Sequence, residues 1–165
     1  MSIGIVGKQG SGKSTIAAYI AEHYDYTIDS LAAPLRSIAR EFFGVTKQSP
    51  DYRTIMQTIG TDWFRSVDQN VWIRHLMARA KGRVVVDDVR FVNEAEAMLV
   101  AGWRLLFLHC PSPYRMQRRD VYVGDTHVSE QGVDDILSQF HNRITIIDTA
   151  RPLDEVLSDV RWWME

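Results

Sequence analysis

The sequence predicts an α/β domain: a five-stranded parallel sheet with helices on both faces, a three-layer sandwich. Three observations lead there. Short β-branched runs alternate with helical patterns along the chain. Val84-Val85-Val86 and Leu105-Leu106-Phe107-Leu108 are unbroken apolar runs, as strands buried on both faces require. A glycine-rich turn, Gly7-Lys8-Gln9-Gly10-Ser11-Gly12-Lys13-Ser14, joins the first apolar run to the first helical pattern.

Taken in order, Ile3-Gly4-Ile5-Val6 reads as a short buried strand within residues 2–6, and the helix after the turn covers 13–24. A second strand is expected at 26–28. Residues 31–80 form a long insertion, with helices over 33–43, 52–59 and 69–80. The third strand covers 83–87, after Gly82, and a helix covers 93–101, before Gly102; both glycines stand where a left-handed cap is expected. A strand at 104–109 leads into a basic, turn-rich segment, 111–132, with a helix expected at 114–120. A helix at 133–139, a strand at 143–147 and a helix at 152–163 complete the domain. Pro152 suits a first helical turn, and Asp154 and Glu155 complement the dipole behind it.

The chain has 165 residues, enough for one domain with a proper core. Hydrophobic residues make up 45% and charged residues 24%, which excludes a disordered chain. The net charge of −2 provides no general attraction to nucleic acid or to a membrane surface. Cys110 is the only cysteine, so no internal disulfide forms and a reducing compartment fits. No secretory signal and no run of about 20 apolar residues is visible, and the expected location is the cytoplasm.

The glycine-rich turn matches the phosphate-binding P-loop pattern in its required context. A strand, a tight turn and a helix N-terminus aim backbone N–H groups and the positive end of a helix dipole at one point. Gly10, Ser11, Gly12, Lys13, Ser14 and Thr15 would cradle a nucleotide. Lys13 would reach the β- and γ-phosphates, and the Ser14 hydroxyl would serve Mg²⁺. The segment Val86-Asp87-Asp88-Val89-Arg90 ends a buried strand in carboxylates, a Walker-B-like place for an Asp that orients the metal. Neighbouring strand residues point to opposite faces, so one of Asp87 and Asp88 faces the phosphates. Arg90 is a candidate clamp for an acceptor phosphate.

Arg115, Arg118 and Arg119 share a helical face, an arrangement that an anion would neutralise; Arg115 and Arg119 are the selected pair. In the insertion, Trp63 and Trp72 could stack on a base, Gln57 could read its edge, and Arg36 could hold phosphate. The two tryptophans serve equally well as core. Asp29 is a further candidate, with a capping role as the simpler account.

Several segments together resemble the phage-type deoxynucleoside monophosphate kinases, in the P-loop nucleoside monophosphate kinase superfamily. The matching pieces are the P-loop, Leu31-Ala32-Ala33-Pro34-Leu35-Arg36, Gln57-Thr58-Ile59-Gly60-Thr61-Asp62-Trp63, Asp88-Val89-Arg90-Phe91-Val92-Asn93-Glu94 and His127-Val128-Ser129-Glu130. Ile146-Ile147-Asp148-Thr149 and Leu153-Asp154-Glu155 extend the match to the C-terminus. The resemblance implies a P-loop kinase sandwich with an acceptor-binding insertion at about 31–80 and a short lid at about 111–132. It implies transfer of the ATP γ-phosphate to a deoxynucleoside 5′-monophosphate, with Mg²⁺, supplying precursors for DNA synthesis. Carried over by position, Asp88 is preferred to Asp87 for the metal and works with Arg90 at the acceptor. Arg36, Gln57, His127, Ser129 and Glu130 would bind the acceptor, Arg115 and Arg119 would close over the phosphates, and Thr149 and Arg151 would lie near the donor adenine. The expected assembly is a monomer or homodimer, without nucleic acid or membrane partners. Two other classes fit the P-loop: a kinase with a hydroxyl acceptor, such as dephospho-coenzyme A or gluconate kinase, and a nucleotide-binding module without turnover.

Overall fold

A computed structural model describes residues 1–118 and 128–165. The elements run β1 (Ile3–Val6), α1 (Lys13–Tyr24), β2 (Thr27–Asp29), α2 (Ala33–Phe43), α3 (Tyr52–Gln57), a π-helical segment (Thr58–Phe64) and α4 (Arg65–Val67). They continue with α5 (Val71–Arg79), β3 (Val84–Val89), α6 (Val92–Val100), β4 (Arg104–His109), α7 (Ser112–Gln117), α8 (Val128–Phe140), β5 (Thr145–Asp148) and α9 (Leu153–Met164). The chain divides into two compact units: residues 1–28 with 81–165, and residues 29–80.

The first unit holds the sheet, with strand order β2-β3-β1-β4-β5. β1 is paired in parallel on both sides, to β3 and to β4, and all four of its residues are buried. Strand alternation sends Ile3 and Ile5 to one face, where they join Ile16 and Ile20 of α1 and Val156, Val160 and Trp163 of α9. The 156/160/163 spacing is the i, i+4, i+7 stripe of an amphipathic helix. Gly4 points to the opposite face, toward Met98 of α6 and Leu105 of β4, and α6 in turn packs on α8. The sheet is therefore covered on both faces, as the alternation of apolar runs and helical patterns predicts.

β3 pairs past residue 87, because Val89 still aligns with Val6 across an irregularity in register. α8 starts at Val128 and not near 133, so part of the segment expected as a lid is ordered helix: Glu130 is 3% exposed. α7 accounts for 112–117 of the same segment, and residues 119–127 lie outside the described residues.

The second unit is helical. Its buried apolar side chains include Leu35 and Ala39 of α2, Ile59, and Trp72, Ile73 and Leu76 of α5. The helix expected over 52–59 changes to π geometry at Thr58. A Cβ on Gly60 would lie 2.4 Å from Leu35 Cδ2, so this segment approaches α2 as closely as only glycine allows. Among the described residues no helix is long and apolar enough to cross a membrane.

Candidate active site

The P-loop lies between β1 and α1. Gly10 (φ 84°) and Gly12 (φ 92°) adopt left-handed backbone that a side chain resists, which is why glycine stands at both places. Lys13 Nζ donates to Gly7 O (2.6 Å) and Lys8 O (2.7 Å), bridging the loop from within. No acidic residue occupies the first turn of α1 itself. Ser11 Oγ is buried and has no hydrogen-bond partner among the described residues. An orphaned donor and a set of helix-start amides fit a phosphate chain.

Ser14 Oγ donates to Asp87 Oδ2 at 2.6 Å. Thus Asp87, the carboxylate ranked second from sequence, is the one beside the P-loop hydroxyl. Val85 packs with Ile16, Ala17 and Ile20 of α1, and strand alternation puts Asp87, two residues on, on that same face. A hydroxyl and a carboxylate are hard oxygen ligands that suit Mg²⁺. Among the described residues no cluster of three or more His, Cys, Asp or Glu could hold a metal by itself. Ser14 and Asp87 would therefore supply part of a shell that phosphates and waters complete.

The arginines of α7 separate in role. Arg115, expected to close over phosphate, is 2% exposed; its Nε donates to Cys110 O (2.8 Å) and its Nη1 to Gln9 O (3.2 Å). It braces the P-loop from behind, and a Cβ on Gly10 would lie 3.1 Å from its carbonyl. Arg118, passed over from sequence, donates from Nη2 to Thr149 O (2.5 Å) and lines a cavity of about 230 Å³ with Ser11, Gly12, Thr15, Thr149 and Arg151. The three-residue spacing from Arg115 was the available signal, but it could not say which arginine is buried. Arg119 lies outside the described residues.

Thr149 Oγ1 donates to Ser11 O (3.0 Å), tying the loop after β5 to the P-loop. Arg151 bonds Asp148 O and pairs with Asp159, whose hydrogen bond holds the guanidinium more firmly protonated than usual. Both residues assigned to the donor end thus border the same cavity.

Beyond β3, Arg90 pairs with Glu130 of α8. The other Glu130 oxygen accepts the Gln9 N–H of the P-loop at 3.0 Å. The Arg90 and Phe91 N–H groups donate to Glu94 Oε2 (2.9 and 3.0 Å), so the backbone of this turn is held by a buried carboxylate. One helical turn beyond Glu130, Asp134 accepts from Lys8 Nζ at 2.7 Å. Glu130 was expected among acceptor ligands and is engaged with protein donors instead. Ser129 sits in the first turn of α8, with its side chain outside the described set, as is all of His127.

In the helical unit, Asp29 accepts from Arg79 at both oxygens, Oδ2 from Nε (3.0 Å) and Oδ1 from Nη2 (2.9 Å), in a two-point ion pair. Trp72 is buried, with Nε1 donating to Gly60 O (3.0 Å), and Phe64 packs 4.9 Å from its ring. It is core. Trp63 is 67% exposed. Gln57 ends α3, and Arg36 lines a cavity of about 440 Å³ with Arg40, Lys47, Gln48 and Tyr52.

Comparisons with known proteins extend this picture. A "Putative deoxynucleotide monophosphate kinase" of Acanthamoeba polyphaga mimivirus is 29% identical, with 78% of this chain and 79% of that protein covered. Among solved structures, shikimate kinase from Aquifex aeolicus superposes with a TM-score of 0.63 at 14% identity, over 99% of this chain and 96% of that one. Shikimate kinase from Acinetobacter baumannii, in complex with shikimate, gives 0.61 at 18% identity, over 99% and 92%. These structures share the P-loop kinase fold. Residues 3–120 match the AAA domain family AAA_18, and the chain belongs to that family.

Proposed function

We propose that this protein transfers the γ-phosphoryl group of ATP to a deoxynucleoside 5′-monophosphate, releasing ADP and a deoxynucleoside diphosphate. An oxygen of the acceptor phosphate forms the new bond to phosphorus as the bond to the β-phosphate oxygen breaks. The observation that carries the reading is the Ser14–Asp87 pair at the P-loop, with Arg90 tied to the same loop through Glu130. The deoxynucleotide acceptor rests on the resemblance to the mimivirus protein and on the motifs that led to the same family.

Magnesium, when bound, neutralises charge on the β- and γ-phosphates. The P-loop amides and Lys13 hold the donor phosphates, with Ser14 and Asp87 available to the metal. Arg118, Thr149 and Arg151 border the cavity assigned to the donor base. Arg90 is the proposed clamp for the acceptor phosphate, and Arg36, Gln57 and Trp63 are the further acceptor residues proposed from the sequence. That phosphate is its own nucleophile and is largely ionised near neutral pH, so positioning and charge neutralisation supply the catalysis without a strong general base. The site of action is the cytoplasm.

A hydroxyl acceptor, as in the shikimate and sugar kinases of similar fold, would call for a carboxylate base. Asp29, a carboxylate that could serve as such a base, is held by Arg79, which counts against its use in that role. The test is ADP production from Mg·ATP with a panel of nucleoside and deoxynucleoside monophosphates, alongside shikimate, gluconate and dephospho-coenzyme A. Stimulation by one or more deoxynucleotides is expected. Stimulation by a hydroxyl acceptor alone would reject the proposed acceptor class.

A further inference from the structure

We infer that Glu130 is a positioning residue that sets the P-loop and the acceptor arginine together, and does not itself bind substrate. The inference rests on the phosphoryl transfer proposed above. The Glu130 carboxylate is almost wholly buried, and each oxygen has a protein donor: Gln9 N–H on Oε2, the Arg90 guanidinium on Oε1. A buried carboxylate engaged in this way would repel a phosphate and has a use as a fixed acceptor.

Its target in the P-loop is the N–H of Gln9, the residue before Gly10, whose backbone could otherwise swing widely. Gln9 is held at both ends, its N–H by Glu130 and its carbonyl by Arg115 Nη1. The loop shape is thereby set before a nucleotide arrives, which lowers the ordering cost of binding. On the other side, Glu130 sets the direction of the Arg90 guanidinium while Glu94 holds the Arg90 backbone.

α8 is itself locked in place. Gly132 packs on the Arg90 carbonyl so closely that a Cβ would sit 2.4 Å from that oxygen. Asp134, four residues beyond Glu130 and on the same face, pairs with Lys8. One helix therefore grips two residues of the P-loop and the turn after β3, linking donor and acceptor halves of the site within one unit.

The experiment compares Glu130→Gln, Glu130→Ala, Arg90→Ala and the Glu130→Gln/Arg90→Ala double variant. Mg·ADP affinity is read by calorimetry, kcat and KM with the four deoxynucleoside monophosphates, and the melting temperature for each. Glutamine keeps an oxygen for the Gln9 N–H and loses the ion pair. Glu130→Gln should therefore hold Mg·ADP affinity within about threefold while raising acceptor KM roughly tenfold or more. Glu130→Ala should also weaken Mg·ADP by about tenfold. In the Arg90→Ala background the glutamine substitution should change acceptor KM less than about twofold, since the partner it acts through is gone.

An equal effect of Glu130→Gln with and without Arg90 would mean direct contact with the acceptor and overturn the proposal. So would wild-type Mg·ADP affinity in Glu130→Ala, or a uniform loss of both affinities that follows the melting temperature. Should no deoxynucleotide stimulate the wild-type protein, the acceptor class is wrong. The Mg·ADP comparison then still decides the P-loop role of Glu130.

Discussion

Ser14 Oγ and Asp87 Oδ2 lie 2.6 Å apart, a hydrogen bond that joins the start of α1 to the end of β3. The pair brings together two segments separated by 73 residues, and it distinguishes two adjacent aspartates that look equivalent in sequence. Asp87→Asn should therefore reduce turnover by about a hundredfold and raise the Mg²⁺ concentration needed for half-maximal rate. Asp88→Asn should stay within about tenfold of wild type at saturating Mg²⁺. Rates measured across a Mg²⁺ titration check both, and the reverse order would return the metal to Asp88.

Arg118 differs from Arg115 in where its guanidinium ends. It reaches the Thr149 carbonyl and borders the cavity next to Gly12 and Thr15. Arg118→Ala should weaken Mg·ADP by roughly three- to thirtyfold, the range of a cation placed against an aromatic base. The rate at saturating ATP should change little. Calorimetric titration with Mg·ADP, set beside kcat, provides the check.

Arg115→Ala, by contrast, removes a buried charge that holds Cys110 O and Gln9 O. Two carbonyls lose charged donors, and the variant should be destabilised by roughly 2–4 kcal/mol. For a domain of this size that is a fall of about 4–16 °C in Tm. A thermal shift below 2 °C would contradict the bracing role.

The two-point pairing of Asp29 with Arg79 makes a separate claim. If Asp29 is structural, Asp29→Asn lowers thermal stability through the weakened pair, by about 1–3 kcal/mol. Phosphoryl transfer to a deoxynucleotide should then stay within a few-fold of wild type. A general base for a hydroxyl acceptor would behave oppositely, with turnover reduced by about 10²-fold or more. The pair of measurements, Tm and kcat, separates the two.

Gly132 is held by a contact and not by its torsion angles. Gly132→Ala gains helix propensity but forces a methyl group against the Arg90 carbonyl. The neighbour is backbone and cannot rotate aside, so α8 must shift. The expected cost is about 1–3 kcal/mol, together with a raised acceptor KM through Arg90. An unchanged Tm would show that α8 can slide freely.

Much of the fold was legible in the sequence. α1, α2 and β4 begin and end where periodicity and glycine placement put them. The boundaries that moved involve contacts between distant parts of the chain: β3 continues to Val89 opposite Val6, the π segment carries Gly60 close to Leu35, and α8 includes Glu130, buried against Gln9 and Arg90. At the site, the strand, glycine turn and helix start of the P-loop were readable because they are local backbone requirements. Arg118, the loop grip of Lys8 and Asp134, and the structural use of Asp29 and Trp72 were not, because each depends on a partner distant in the chain.

By itself the sequence determined that a strand, a glycine turn and a helix start would form a phosphate cradle, since these are local backbone requirements written within fourteen residues. It also determined a parallel sheet, because only strands buried on both faces carry such continuous apolar runs. Only the tertiary structure decided which aspartate meets Ser14, which arginine is buried, and that Glu130 answers to the protein. Those outcomes depend on which face of the sheet α1 covers and on how closely α8 approaches the Arg90 turn. No local pattern encodes them, because a charged side chain takes its role from the partner that packing brings to it.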